Sequence, residues 1–114
     1  MDSAKVARQL VDVATEKLAE DIILLDLRRT APFADYFVIM SAGSSRQIQA
    51  LEEEITAAME ETQVRLHHRE GSAASGWVLL DFSDVVVHIF GPTEREFYGL
   101  ERLWSRAPQV VRVL

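Results

Sequence analysis

Apolar residues Val6, Leu10, Val13, Ala14 and Leu18 recur at helical spacing, with Lys5, Arg8, Asp12 and Glu16 between them. The first twenty residues therefore predict an amphipathic helix whose apolar stripe needs a sheet or another helix to cover it. "DIILLDL", residues 21–27, is an apolar run of strand length, and the proline in the following "RRTAPF" marks a loop. "DYFVIMS", residues 35–41, mixes aromatic and β-branched residues without clean alternation, the pattern of a central strand covered on both faces. After Gly43, the positions Ile48, Leu51, Ile55, Ala58 and Met59 mark one side of a second helix, with Glu52, Glu53 and Glu54 toward solvent.

"VRLHHRE", residues 64–70, is a weaker strand pattern, and "GSAASG", residues 71–76, reads as a loop. "WVLLDF" and "VVVHIF", separated by Ser83 and Asp84, predict a hairpin with a tight even-length turn. Alternation then puts Val78, Leu80, Val85, Val87 and Ile89 on one face, a plain core. The opposite face carries Trp77, Leu79, Val86, His88 and Phe90 together with Asp81. A face so mixed is either covered by a helix through satisfied polar groups or offered to a partner. In "GPTEREFYGLERLW", Gly91 and Pro92 end the strand, and Thr93 with Glu96 forms a capping-box pattern for a third helix. Phe97, Leu100, Leu103 and Trp104 give that helix an apolar side, and "SRAPQVVRVL" either packs back or pairs as an edge strand. The whole predicts a single small α/β domain with a mixed sheet of about five strands and three helices, residues 1–104, followed by a tail, residues 105–114.

Composition narrows the function. The 114 residues, 48% hydrophobic, suit one core, and the formal charge is 12 − 18 = −6. So acidic a chain lacks a broad surface for a phosphate backbone, and no direct nucleic-acid specificity is expected. It suits a basic protein partner, steered by complementary fields. The chain has no cysteine, which removes disulfides and thiolate zinc sites. Its first residues contain no apolar block suited to a signal peptide or membrane span, so a cytoplasmic location is expected.

Candidate chemistry is sparse. In "SAGSSRQI", residues 41–48, a glycine-serine turn opens a helix and could face a phosphate. It lacks the lysine of the Walker sequence and the three glycines of the dinucleotide fingerprint, so Ser44 reads as an N-cap with Gln47 as its partner, a gain of about 1 kcal/mol. A nucleotidyltransferase-like enzyme or nucleotide sensor, the rival reading, would use Ser44, Asp81 and Asp84, but the two aspartates flank a turn. His67 and His68 are adjacent and point apart on a strand, and His88 stands among apolar residues, so no metal site, cofactor site or catalytic set is expected. Near the hairpin and last helix stand Trp77, Phe97, Tyr98 and Trp104, with Arg95, Glu101 and Arg102 around them. Phe97 and Trp104 read as core; Trp77 and Tyr98 read as interface anchors.

Three segments in order, "ADYFVIMSAGSSRQI", "EGSAASGWVLLDFSDVVVHIF" and "REFYGLERLW", resemble the ribosomal silencing factors, the bacterial branch of the Iojap family. Residues matching the family motif are Asp35, Ser44, Ser45, Arg46, Gln47, Gly71, Trp77, Asp81, His88, Arg95, Tyr98, Glu101 and Trp104. Ser83 departs from it, standing where relatives commonly carry glycine, and the ten residues after Trp104 extend past the usual end. The resemblance implies a nucleotidyltransferase-like fold without the catalytic carboxylates, and a non-enzymatic role. It implies binding to large-subunit ribosomal protein fourteen on the large ribosomal subunit, a steric block to subunit joining, and repression of translation when nutrients are scarce. It also implies homodimers when free and, in organellar relatives, help with large-subunit assembly. With that partner in view, Glu70, Trp77, Asp81, Tyr98 and Glu101 are the expected contacts, and Arg46 is a further one.

Overall fold

The computed structural model describes residues 2–114. Helix α1, Ser3–Glu16, starts where the Asp2 carboxylate accepts from the amides of Ala4 and Lys5, and it buries Val6, Ala7, Leu10, Val11 and Ala14. Leu18, assigned to that stripe by spacing, instead lies beyond the helix end at φ 65° and is 75% exposed. Helix α2, Ser45–Glu61, buries Ile48, Leu51, Ile55 and Met59. Ser44 Oγ accepts from the Gln47 amide at 3.2 Å, while Gln47 Oε1 accepts from the Gly43 amide at 2.9 Å. The expected cap is present, and it engages the amides of Gly43 and Gln47 from within the chain. Glu52 is not simply solvated, because its carboxylate accepts from both Nε and Nη2 of Arg69, the latter at 2.8 Å.

Strands β1 (Glu20–Asp26), β2 (Tyr36–Ser41), β3 (His68–Ser72), β4 (Trp77–Asp81), β5 (Val85–Phe90) and β6 (Gln109–Val113) form one mixed sheet in the order β3-β4-β5-β2-β1-β6. β2 and β5 are parallel; the other neighbours are antiparallel. Both central strands are buried at every position, as the unbroken apolar runs require. The sheet has one strand more than expected because the C-terminal segment pairs with β1 as an edge. Both long helices contribute to the same core, with Val78, Leu80, Val85, Val87 and Ile89 from the hairpin beneath them.

The hairpin register follows the alternation. Phe82 donates to the Val85 carbonyl at 2.9 Å, closing a two-residue turn of Ser83 and Asp84. Ser83 sits at φ 78°, a positive value that such a turn demands at its first residue and that glycine adopts without steric cost. The Asp81 carboxylate accepts from the Ser83 amide at 2.7 Å and helps hold it there.

The last helical segment differs from expectation. Thr93 is not the cap: Gly91 is, Pro92 is the first helical residue of α3 (Pro92–Tyr98), and no side chain caps the helix. Gly99, at φ 56°, breaks the run before the short α4 (Leu100–Leu103). The break turns Leu100 and Trp104 inward but leaves Phe97 80% and Leu103 71% exposed, so Phe97 is not core.

Arg95 of α3 is buried, and it joins parts of the chain far apart in sequence. Its Nη1 donates to the Asp21 carbonyl at 2.6 Å and to Ser41 Oγ at 2.8 Å, and its Nε donates to Glu101 at 2.8 Å. Its Nη2 has only the Asp21 carboxylate, at 3.7 Å. That carboxylate also accepts a fork from Arg112 of β6. One guanidinium thus ties α3 and α4 to the β1 bulge and to the end of β2.

Two stability outcomes are expected in denaturant unfolding. Ser83→Gly raises the unfolding free energy by about 0.5–1 kcal/mol; a lower midpoint would contradict a turn governed by positive φ. Arg95→Met lowers it by about 2 kcal/mol, a reduced figure because Asp21 and Glu101 retain access to water, and an unchanged midpoint would remove Arg95 as the tie.

Candidate partner-docking face

Residues directly opposite one another across a sheet share a face. The pairings Glu70↔Leu79, Leu79↔His88 and Ile39↔His88 therefore lay Glu70, Leu79, His88 and Ile39 in one row. On one side runs Ser72, Trp77, Phe90 and Ser41; on the other, His68, Asp81, Val86 and Phe37. This is the face turned away from α1 and α2. Its inner part is covered by α3, α4 and the loops beside them, where Leu25, Leu27, Phe37, Ile39, Phe90 and Ala107 form a second core with Leu100 and Trp104 against it. Toward β3 the cover runs out: Leu79 and Trp77 are half-buried and Glu70 is exposed. The mixed face is both covered and open, changing from one to the other across the sheet.

Aromatic rings line the transition. Trp77 lies 5.8 Å from Tyr98, Tyr98 5.7 Å from Phe90, and Phe90 6.0 Å from His88. His88 meets Phe37 edge-on at 4.7 Å, and Trp104 stands 5.8 Å from Phe37. Phe97, outermost, meets Tyr98 edge-on at 5.3 Å.

Of the five expected contacts, the fold brings Trp77 and Tyr98 into touch, and it puts Glu70 and Asp81 on the same open face. Glu70 pairs with His68 Nε2 at 3.3 Å on the exposed edge strand. Asp81 spends one oxygen on the turn amide of Ser83. Glu101 belongs to a different cleft, lined by Asp21, Ser41, Arg95 and Arg102, where it holds Arg95. Arg46 is exposed in the first turn of α2, on the helix-covered side. Two residues that suit the open face were not singled out as contacts: Leu79, legible from strand alternation, and Phe97, whose exposure follows from the break at Gly99 and was hidden in the helical spacing. The rival set does not converge. Ser44 follows the C-terminal end of β2, whereas Asp81 and Asp84 lie at the opposite end of the sheet, a six-residue strand or about 20 Å away.

His88 is the polar centre of the face. Its Nδ1 accepts from Trp77 Nε1 at 3.3 Å, which leaves the ring proton on Nε2, where it has no partner. Burial among Trp77, Leu79, Phe37, Ile39 and Phe90 disfavours the charged ring and pushes its pKa from the ordinary 6.5 down to about 4. The folded state thus holds neutral imidazole, while the unfolded chain takes up a proton below pH 6.5. The associated stability is complete above that pH and is lost as pH falls toward 4. Between pH 7 and pH 5 the unfolding free energy should fall by about 2 kcal/mol from this group, a dependence that His88→Leu removes. Equal pH dependence in wild type and variant, by urea unfolding, would show that the ring is not held neutral.

A family model described as ribosomal silencing factor during starvation matches residues 1–113, a span that takes in β6. The chain is 38% identical over 108 residues to the ribosomal silencing factor of Bacillus subtilis, covering 95% of this chain and 92% of that protein. It is 31% identical over 99 residues to a mouse protein named for mitochondrial assembly of the ribosomal large subunit, covering 84% of this chain and 43% of that longer one. A crystal structure of a Chromobacterium violaceum protein superposes with a TM-score of 0.88 at 28% identity, over 92% of this chain and 88% of that one. A match that spans all four helices, all six strands and the half-covered aromatic face places this chain in the ribosomal silencing factor family.

Proposed function

We propose that this chain binds large-subunit ribosomal protein fourteen on the large ribosomal subunit, blocks joining of the small subunit by occupying its docking surface, and so represses translation when nutrients are limiting. Family membership supports the ribosomal setting. The observation that carries the reading is the open aromatic edge of the sheet. Trp77, Leu79, Tyr98 and Phe97 offer apolar area, and Glu70 and Asp81 border it with negative charge. Aromatic anchors ringed by carboxylates suit a basic protein surface, where the rings supply affinity and the charges supply orientation and encounter rate. The name of the mouse relative supports a further role in maturation of the large subunit. In this reading the protein acts in the cytoplasm, is a homodimer when free, needs no cofactor and catalyses no reaction.

The test is a gradient assay in which large subunits are mixed with excess protein before small subunits are added. Joined ribosomes should fall and the chain should co-sediment with large subunits. Trp77→Ala should weaken binding by about 2 kcal/mol or more while keeping a cooperative unfolding transition, and Phe97→Ser should weaken it without a folding cost because that ring is already exposed. Undiminished joining, or full affinity in both variants, would overturn the reading.

A further inference from the structure

Another surface, at the far end of the aromatic line, differs from the docking face in charge. Residues 28–33, "RRTAPF", and residues 102–108, "RLWSRAP", contain Arg28, Arg29, Arg102 and Arg106 and no carboxylate. These two segments carry +4, so the rest of the chain carries 8 − 18 = −10 within the net −6. The fold sets them side by side. The Asp26 amide donates to the Pro108 carbonyl at 2.9 Å, and the rings of Phe33 and Trp104 meet edge-on at 5.8 Å. Between the segments lies a cleft of about 410 Å³ lined by Arg29, Thr30, Leu103, Trp104, Ser105 and Arg106.

Arg29 and Arg106, two of the four arginines there, form no ion pair among the described residues. Arg28 is held by Asp26 at 2.7 Å, but among the described residues neither Arg29 nor Arg106 has a carboxylate within 4.0 Å. Both are exposed, as are Leu103 in the same cleft, at 71%, and Phe33, at 59%, whose ring meets the Trp104 that lines the cleft. Two free guanidiniums next to exposed ring surface call for a ligand with both an anionic group and a flat apolar one. A nucleotide supplies both: its phosphate takes the arginine donors and its base lies on the ring. A run of acidic residues such as oligoglutamate supplies only the charge. Repulsion from the remaining acidic surface is screened over about 8 Å at physiological ionic strength, so the local field decides at contact.

We propose that this cleft is an RNA contact. Arg29 and Arg106 take phosphate oxygens of an unpaired stretch, and one base is laid against Phe33 and the edge of Trp104. Recognition is of backbone and ring, not of sequence. The contact lies apart from the protein-docking face and does not rest on the function proposed above.

The test uses the full chain and a short fluorescein-labelled oligouridylate at low salt, read by fluorescence anisotropy, with a labelled oligoglutamate as competitor class. Wild type should bind the oligouridylate. Arg29→Gln/Arg106→Gln should weaken it about tenfold and lessen the salt slope by about 1.4, as loss of two single-strand phosphate contacts requires. Phe33→Ala should weaken oligouridylate and leave oligoglutamate unchanged, whereas Trp77→Ala should leave oligouridylate unchanged. Absence of oligouridylate binding at millimolar protein, equal affinity in the double variant, or oligoglutamate bound as tightly as RNA would overturn the proposal. Since no ribosome enters this assay, its failure is separate from failure of the subunit-joining experiment.

Discussion

The parallel pairing of β2 with β5 is the constraint from which the rest of the molecule follows. Parallel neighbours cannot be joined by a turn, so a long crossover must lie between them. Here it comprises α2 and the β3-β4 pair, which puts a long helix over one face and extends the sheet beyond β5. α1 lies beside α2, and the two bury a continuous apolar core. Little chain is then left for the other face, yet β2 and β5 are too apolar on that side to stay exposed.

Two short helices and a line of rings resolve this. α3 and α4 reach only part of the face, so rings, which bury large area per residue, carry the cover outward until it fails near β3. The half-covered edge is therefore a consequence of topology, and it leaves ring area available without a separate binding loop. Burial also accounts for the neutral imidazole at its centre. His88 is packed by the same rings that cover the strands, and it accepts one hydrogen bond from Trp77 as their polar tie.

Polar fastening of the small helices is concentrated in Arg95. A seven-residue helix without a side-chain cap has little stability of its own, and α3 is held by a guanidinium that reaches Asp21, Ser41 and Glu101 together. A planar donor fork can satisfy several acceptors from one position, which a lysine cannot do with the same geometry. Glu101, expected at the partner surface for its charge, is engaged in this fastening.

What the sequence alone determined was whatever rests on period and local chemistry. Alternation sorted the hairpin into two faces, helical spacing located α1 and α2, and Ser44 with Gln47 announced a cap. These are properties of neighbours along the chain, where each residue's environment follows from its own few positions. Tertiary structure decided the rest. Phe97 and Leu103 fit an apolar helical stripe, but Gly99 rotates the chain between them, and only packing shows which ring is left outside. The C-terminal segment became an edge strand because β1 offered unpaired backbone groups to it. The Asp21 and Ser41 partners of Arg95, and the meeting of Arg29 with Arg106 at one cleft, join positions more than fifty residues apart, a distance at which local pattern carries no information and only the folded path brings the groups together.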